Sequence, residues 1–424
     1  MTTVIIDEKK TQNTKVNKSI GHYFEGSDAK WYRGRNLTDE EREVFRQRSI
    51  GSHKAKLKAL NGDGPPPIHK INVPKLNPED LMPKLKPNQI KVLSLFSGGG
   101  GLDLGFDYAG FQHCESYEIM EDAGLTIINN RPQWNVFYGE EGNVREKNWQ
   151  SLQGKIDVIH GGPPCQPFST AGRQMGGKDD RDLFPEFIRS ILEVEPKAFV
   201  AENVKALKSK KFEKYLHQNI LFPLSQDYHI SMFELSAASF GVPQKRYRVF
   251  LVGLRKDKIN KKFVIPKPTH DFSHLLPNHK NNNCQQLSLF DFYTSDDDLL
   301  KCMGVREALG LPDIGYDALS PTIRSALTGP RHTTSILSSV SAQKQWTKLQ
   351  VWPNGVAKDR LSANKFVTKN GHFRLSVQDC AILQGFPDSW IFNGAVYMIL
   401  GQIGNSVVPP VAYQVAKALS KALT

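Results

Sequence analysis

The chain has few cysteines, and they are badly placed for a shared task. Five occur in 424 residues, at positions 114, 165, 284, 302 and 380, an odd number with no Cys-x-x-Cys pair. That pattern argues against a disulfide framework and against a zinc site, so a cysteine here matters through its own reactivity or not at all. Long apolar runs are also missing. None approaches the ~18 residues of a membrane-crossing helix. The start, MTTVIIDEKKTQ, sets two acids close behind a short apolar patch and lacks the long apolar stretch of a secretory leader. A cytoplasmic protein with no membrane partner is expected. No internal repeat is evident. Acids are in short supply as well: 43 against 55 basic residues, a net charge of +12. The excess is concentrated, with 17 Lys/Arg against 11 Asp/Glu in residues 1–88, and eight basic residues against Asp359 alone in 321–369. Such an excess suits a polyanion, or equally a solvated surface, and charge alone does not choose.

The pattern of the chain divides it into four parts. Residues 1–88 contain a charged, helix-compatible stretch from Asp39 to Leu60, with Thr38 placed to cap it. NGDGPPP (61–67) then breaks the chain, and prolines recur at 74, 78, 83 and 87, as in a linker or extended arm. From residue 89 to 254, short apolar runs alternate with helical patterns. IKVLSLF (90–96), IDVIH (156–160), KAFVAE (197–202), HISMFEL (229–235) and YRVFLVGL (247–254) read as strands, and LFPEFIRSILEVE (183–195) as a helix. This alternation predicts an α/β fold around an open, largely parallel sheet. Residues 255–370 lose the alternation, with a polar insertion over 270–300, and read as a second, less regular domain. Residues 371–424 close with a helical pattern, VAYQVAKAL (411–419).

Chemistry is expected where strands end. LFSGGGGLDLGF (95–106) is a strand, a glycine loop and a helix start, a device that lets backbone approach a nucleotide closely. Alone it fits dinucleotide enzymes, kinases and methyltransferases alike. Glu118, about twenty residues on, is placed to take a ribose hydroxyl pair or to be a solvated helix charge. GGPPCQPFSTAG (161–172) follows the next strand. Pro163, Pro164 and Pro167 stiffen the backbone around Cys165, which favours a held nucleophile over a buried apolar thiol. Glu202, in AENV at the end of an apolar strand, has the setting of a general acid or of a paired cap. In GVPQKRYRVFLVG (241–253), strand alternation puts Arg246 and Arg248 on one face, suited to an anion or a carbonyl oxygen. RLSVQDCAILQGFPD and GNSVVPP near the C-terminus are structural signals by themselves, Ser376 and Asp379 forming a helix-start pair.

Taken in order, these strings resemble the conserved blocks of the DNA cytosine-C5 methyltransferase family, over residues 90–254 and 371–415. The resemblance implies a Rossmann-like sheet domain that binds S-adenosylmethionine and a smaller target-recognition domain within 255–370. It implies a cofactor site formed by Phe96, Ser97, Gly98, Gly99, Gly100, Gly101, Leu102, Glu118, Ile119, Asn143, Val144, Pro164, Asn405 and Ser406. Cys165 would add to C6 of a flipped cytosine, Glu202 would protonate N3, and Arg246 and Arg248 would hold the intermediate, Arg248 at O2. Arg374 and Gln384-Gly385 would organise the recognition domain. Gln166, Ser169, Arg324, Arg331 and His332 would contact double-stranded DNA. One departure is visible: the family often carries an acid where EGN (141–143) places Asn143, whose side-chain oxygen can still accept a hydrogen bond. The bacterial members' usual setting implies a separate cognate restriction endonuclease, and a monomer is expected. Two other readings stay open here: the same chemistry on a tRNA cytosine, and an inactive DNA-binding relative.

Overall fold

The computed structural model describes residues 38–40, 43, 47, 50, 70–164, 182–276, 299–325, 327, 333–365, 368 and 371–424. Asp39, Glu40, Glu43, Gln47 and Ile50 are helical directly after Thr38, and Gln47 donates to Glu43 one turn earlier at 2.7 Å.

The centre is a seven-stranded sheet. Its strands are β1 (Lys91–Leu95), β2 (Gln112–Glu118), β3 (Asn135–Tyr138), β4 (Val158–Gly161), β5 (Ala198–Val204), β6 (Tyr228–Ser236) and β7 (Tyr247–Arg255), in the spatial order β3-β2-β1-β4-β5-β7-β6. Strands β1 to β5 pair in parallel, and β7 runs antiparallel between β5 and β6. The order reverses between β1 and β4, so their carboxyl ends open the crevice where ligands bind in such sheets. Helices α1 (Gly101–Tyr108), α2 (Glu121–Asn130) and α3 (Phe184–Val194) follow β1, β2 and β4.

Alternation along the strands feeds two cores. Val92, Val158, Ala198 and Val200 pack on one face, with Leu102, Phe106 and Tyr413. Leu93, Ile159, Phe199 and Ala201 pack on the other, with Phe187 and Ile191 of α3. A sheet covered on both faces needs strands that are apolar throughout, which is why these runs read as continuous rather than alternating.

The described parts of 299–365 carry little regular structure beyond a helix at Val340–Lys348 and a strand at Val351–Ala357, which pairs in parallel with Phe373–Ser376. Val305, Ile323, Ile336 and Trp346 nevertheless share the first core with the sheet. A helix at Val377–Gln384 starts on a capping box in which the Ser376 side chain accepts from the Asp379 N–H and the Asp379 carboxylate accepts from the Ser376 N–H. The next helix spans Val396–Asn405, and the last, Pro409–Leu423, returns to lie against α1. The approach is close enough that a Cβ on Gly105 would sit 2.5 Å from the Ala412 Cβ. Among the described residues no helix is long and apolar enough to cross a membrane.

Candidate active site

A cavity of about 250 Å³ opens at the carboxyl ends of β1, β2, β4 and β5. The loop after β1 makes its floor. Phe96 takes a left-handed backbone conformation, φ +55°, unusual for a residue with a Cβ. Such strain is held only where the surroundings over-determine it, and here the Phe96 side chain is set into the cavity wall. Gly98 also has φ +55°, and a Cβ there would meet nothing closer than 4.0 Å.

The next three glycines do different work. A Cβ would lie 3.0 Å from Ser406 Oγ at Gly99, 2.8 Å from the Trp390 ring at Gly100, and 2.2 Å from the Val407 carbonyl at Gly101. Gly99, Gly100 and Gly101 therefore let the C-terminal segment close on the loop, and Gly98 alone of the four lines the cavity. Trp390 seals that contact by donating its indole N–H to the Gly99 carbonyl at 3.2 Å.

Glu118 ends β2 inside the cavity, almost fully buried. One carboxylate oxygen accepts from the Gly98 N–H at 2.6 Å, the other from the Met120 N–H at 2.8 Å. Burial pushes its pKa up, and the two backbone donors pull the other way. The carboxylate thus fixes the glycine loop, and its remaining lone pairs face the cavity. Ile119 and Val144 line the wall beside it, with Leu102. Asn143 also lines it, but its amide is committed: the oxygen caps the Arg145 N–H at 3.2 Å and the nitrogen donates to Glu146 at 2.8 Å. Asn143 is thus already an N-cap, and only a second lone pair of its oxygen is left to accept from a ligand.

The opposite wall carries the ionisable pair. Glu202 lies near the end of β5, and Arg248 lies in β7 opposite Val204. On an antiparallel pair the diagonal neighbour two residues away shares the same face, so Arg248 reaches back to Glu202. Its Nε sits 2.8 Å from a Glu202 oxygen, with Glu202 8% and Arg248 18% exposed. Burial raises the Glu202 pKa, and Arg248 followed by Arg246 opposes that rise. A carboxyl so placed keeps a proton more readily than one in water. Gly162 leaves room for it, since a Cβ there would stand 3.2 Å from Glu202. Asn203 donates to the Pro163 carbonyl at 3.1 Å, tying the end of β5 to the loop that leads into Pro164. Gly162, Pro163 and Pro164 line the cavity. Cys165, Gln166 and Ser169 lie outside the described residues, as do Arg331 and His332.

Arg246 has a different place from Arg248. It is 1% exposed and does not line this cavity. Its guanidinium donates to the carbonyls of Ser406 at 2.8 Å, Gly404 at 2.9 Å and Ile323 at 3.4 Å. Gln244 braces the same seam through the Leu383 carbonyl, Gln384 and the Ile323 N–H. Gln384 in turn donates to the Ser406 carbonyl at 2.7 Å. Arg374 donates to the Gly355 carbonyl across the strand pair, and Gly385, at φ +90°, ends the capped helix. Asn405 and Ser406 thereby reach the cavity from the far end of the chain. Arg324 is half-buried on this seam, its backbone against Gly404.

Sequence reading missed Tyr117, Met120, Arg145, Leu183, Val204, Gln402 and Val407 in the wall. Tyr117 and Met120 flank Glu118, and a placed β2 would have found them. Leu183 and Gln402 carried no signal, because only the packing of helices brings them in.

A family model described as C-5 cytosine-specific DNA methylase matches residues 90–421. The chain is similar to the Type II methyltransferase M.NgoMIV of Neisseria gonorrhoeae, with 34% identity over 338 residues that span 79% of this chain and 98% of that protein. It is similar to the Type II methyltransferase M.FnuDI of Fusobacterium nucleatum, with 32% identity across 79% of this chain and 95% of that one. Among solved structures, the S. pombe Dnmt2 methyltransferase aligns over 79% of this chain and 98% of its own at 16% identity and a TM-score of 0.49, too distant to add to the assignment.

Proposed function

The chain belongs to the C-5 cytosine-specific DNA methylase family, and from that premise we propose how its own residues carry out the reaction. The protein is a DNA cytosine-5 methyltransferase of the restriction–modification type. Members of this family take their methyl group from S-adenosylmethionine, and in this chain we assign that ligand to the cavity between the Gly98 loop, Glu118 and Ser406. The fit rests on the chemistry of the walls: a carboxylate beside an open glycine, and apolar faces from Phe96, Leu102 and Val144. Bound there, it supplies an electrophilic methyl group.

The observation that carries the mechanism is the buried Glu202–Arg248 pair on one wall, with Pro164, the residue before Cys165, on the same cavity. Cytosine C5 is too weak a nucleophile to take a methyl group unaided. The Cys165 thiolate donates its electron pair to C6, and the displaced pair moves through the ring to N3. Glu202 delivers a proton at N3, and Arg248 holds O2. C5 is then enamine-like and accepts the methyl group. Loss of the C5 proton to a base and departure of Cys165 restore the ring. The reacting atoms lie inside the base stack of a duplex, so the cytosine is extruded into the site. Arg246 acts as a brace that holds Gly404 and Ser406 in place and touches no base.

Sequence choice is assigned to residues 255–370, with Arg324, Arg331 and His332 among the contacts, and Gln166 and Ser169 beside the extruded base. A monomer acting in the cytoplasm, with a separate endonuclease of the same target site, completes the reading. Bisulfite sequencing of DNA from cells expressing the protein tests it in one step. Methylated cytosines in one short context are expected. Methyl transfer from labelled cofactor to tRNA alone, with none to duplex DNA, would overturn it.

A further inference from the structure

The ten residues that follow β5 read KALKSKKFEK (205–214), five lysines and one acid. They fold as two successive 3-10 turns, Lys205–Lys208 and Lys210–Phe212, running into a helical turn at Glu213–Tyr215. Leu207 and Phe212 are buried and anchor the stretch, which leaves Lys205, Lys208, Lys210, Lys211 and Lys214 exposed. Only Lys205 has a carboxylate partner among the described residues: it meets Glu234 at 3.0 Å and lies 5.6 Å from the centre of the Tyr247 ring. Five like charges so close repel one another, and a surface serving solubility alone would intersperse acids.

The position is as informative as the charge. Val204 lines the cavity, and Lys205 is the next residue. Tyr247, 42% exposed, adjoins Arg248 of the ionisable pair. The lysines therefore continue the rim outward from the point where the target base enters. A 3-10 turn rises about 2 Å per residue, so Lys205 to Lys211 spans roughly 12 Å. That is about three to four base-pair steps at 3.4 Å along one strand.

We propose that Lys205, Lys208, Lys210 and Lys211 form a phosphate-gripping rail that holds the DNA backbone flanking the extruded cytosine. The rail rests on the reading of duplex DNA as substrate. It reads no base, since an ammonium on a flexible stem meets phosphate as a point charge. Its work is to fix the duplex against the catalytic wall while the recognition segment selects sequence.

The test is equilibrium binding of the full chain to two fluorescent duplexes, one with the mapped target and one scrambled, across a sodium chloride series. The triple variant Lys208→Gln, Lys210→Gln, Lys211→Gln is compared with wild type, with the three Lys→Arg changes together, and with Lys421→Gln on the last helix as a control. For the glutamine triple, affinity for both duplexes should fall roughly 10- to 100-fold near 0.1 M salt, and the log–log salt slope should flatten by about 2 to 3, close to 0.9 per lost phosphate contact. Turnover at saturating target DNA should match wild type, and the arginine triple should restore binding. An unchanged slope overturns the rail, and so does a loss confined to the target duplex. If the glutamine triple fails to fold, an arginine triple that folds with a wild-type slope sustains the proposal, and one with a flattened slope overturns it. A wild type that binds tRNA and not duplex DNA overturns the substrate reading itself, visibly and without any variant.

Discussion

Glu202 and Arg248 hold each other at 2.8 Å in a wall with little water, so each changes what the other can do. Burial favours a protonated Glu202, and the guanidinium keeps the proton transferable. Glu202→Gln retains a hydrogen-bond donor for N3 but cannot release a proton, and methyl transfer should slow by ~10²–10⁴-fold in single-turnover assays. A near-normal rate would make Glu202 a structural residue. Cys165→Ala should abolish transfer while duplex affinity stays within a few-fold of wild type; any sustained turnover would remove Cys165 from the mechanism. Behind the glycine loop, Asp103 and His113 titrate in opposition. Burial raises Asp103 from 3.8 to about 6 and pushes His113 down to about 3, with 4.0 Å between them. A raised carboxyl favours the folded state as pH falls through 6 towards 4. A depressed histidine does the reverse, because below pH 6.5 the unfolded chain takes up a proton that the folded one refuses. The two effects offset each other over that window. Asp103→Asn removes one side, so wild type should gain on the variant by about 3 kcal/mol between pH 7 and pH 4 in urea unfolding. Parallel pH profiles for the two proteins would contradict the assignment.

At the scale of elements, the contact between α1 and the helix Pro409–Leu423 decides whether the cavity is closed. The chain needs glycine at two kinds of position in α1 and its loop, for separate reasons. Gly98 needs its backbone angle, and an alanine there is strained by roughly 1–2 kcal/mol without any clash. Gly105 needs empty space, and an alanine there would press on Ala412 and the Tyr413 backbone, where overpacking costs typically ~1–3 kcal/mol. Gly105→Ala should therefore lower the melting temperature and weaken cofactor binding together, because Asn405 and Ser406 are displaced with the helix. Gly98→Ala should weaken cofactor binding with a smaller loss of thermal stability. Equal losses of both properties in the two variants, by calorimetry and cofactor titration, would show that the motif glycines share one role.

Across the whole molecule, three distant stretches meet on one seam. Arg246 and Gln244 from the sheet, Ile323 from the irregular segment, and Gly404 and Ser406 from the C-terminal part are joined by hydrogen bonds to buried backbone. Breaking such a hub leaves several carbonyls buried without partners, at about 1–3 kcal/mol each. The seam also places the irregular segment beside the catalytic wall, so exchange of residues 255–370 for those of a relative should redirect methylation to that relative's target. Bisulfite sequencing of the chimaera checks this, and an unchanged target would move recognition elsewhere, to the N-terminal arm first.

The sequence by itself determined the strands β1, β4, β5, β6 and β7, the glycine loop and the motif order that carries the family resemblance. These are local properties: apolar runs set strands, and proline and glycine set turns. Strand β2 escaped because QHCESYE is polar and its amino end half-exposed, so no apolar run marks it. Only the tertiary structure decided which basic and glycine residues face the ligand. Arg246 and Arg248 are two residues apart on one strand face, yet one is locked to three carbonyls and the other meets Glu202. Gly98 opens to the cavity, and its three neighbours make room for Ser406, Trp390 and Val407. The difference lies in what packs against each residue from far along the chain, and that partner is fixed by the closing of the C-terminal segment onto the sheet.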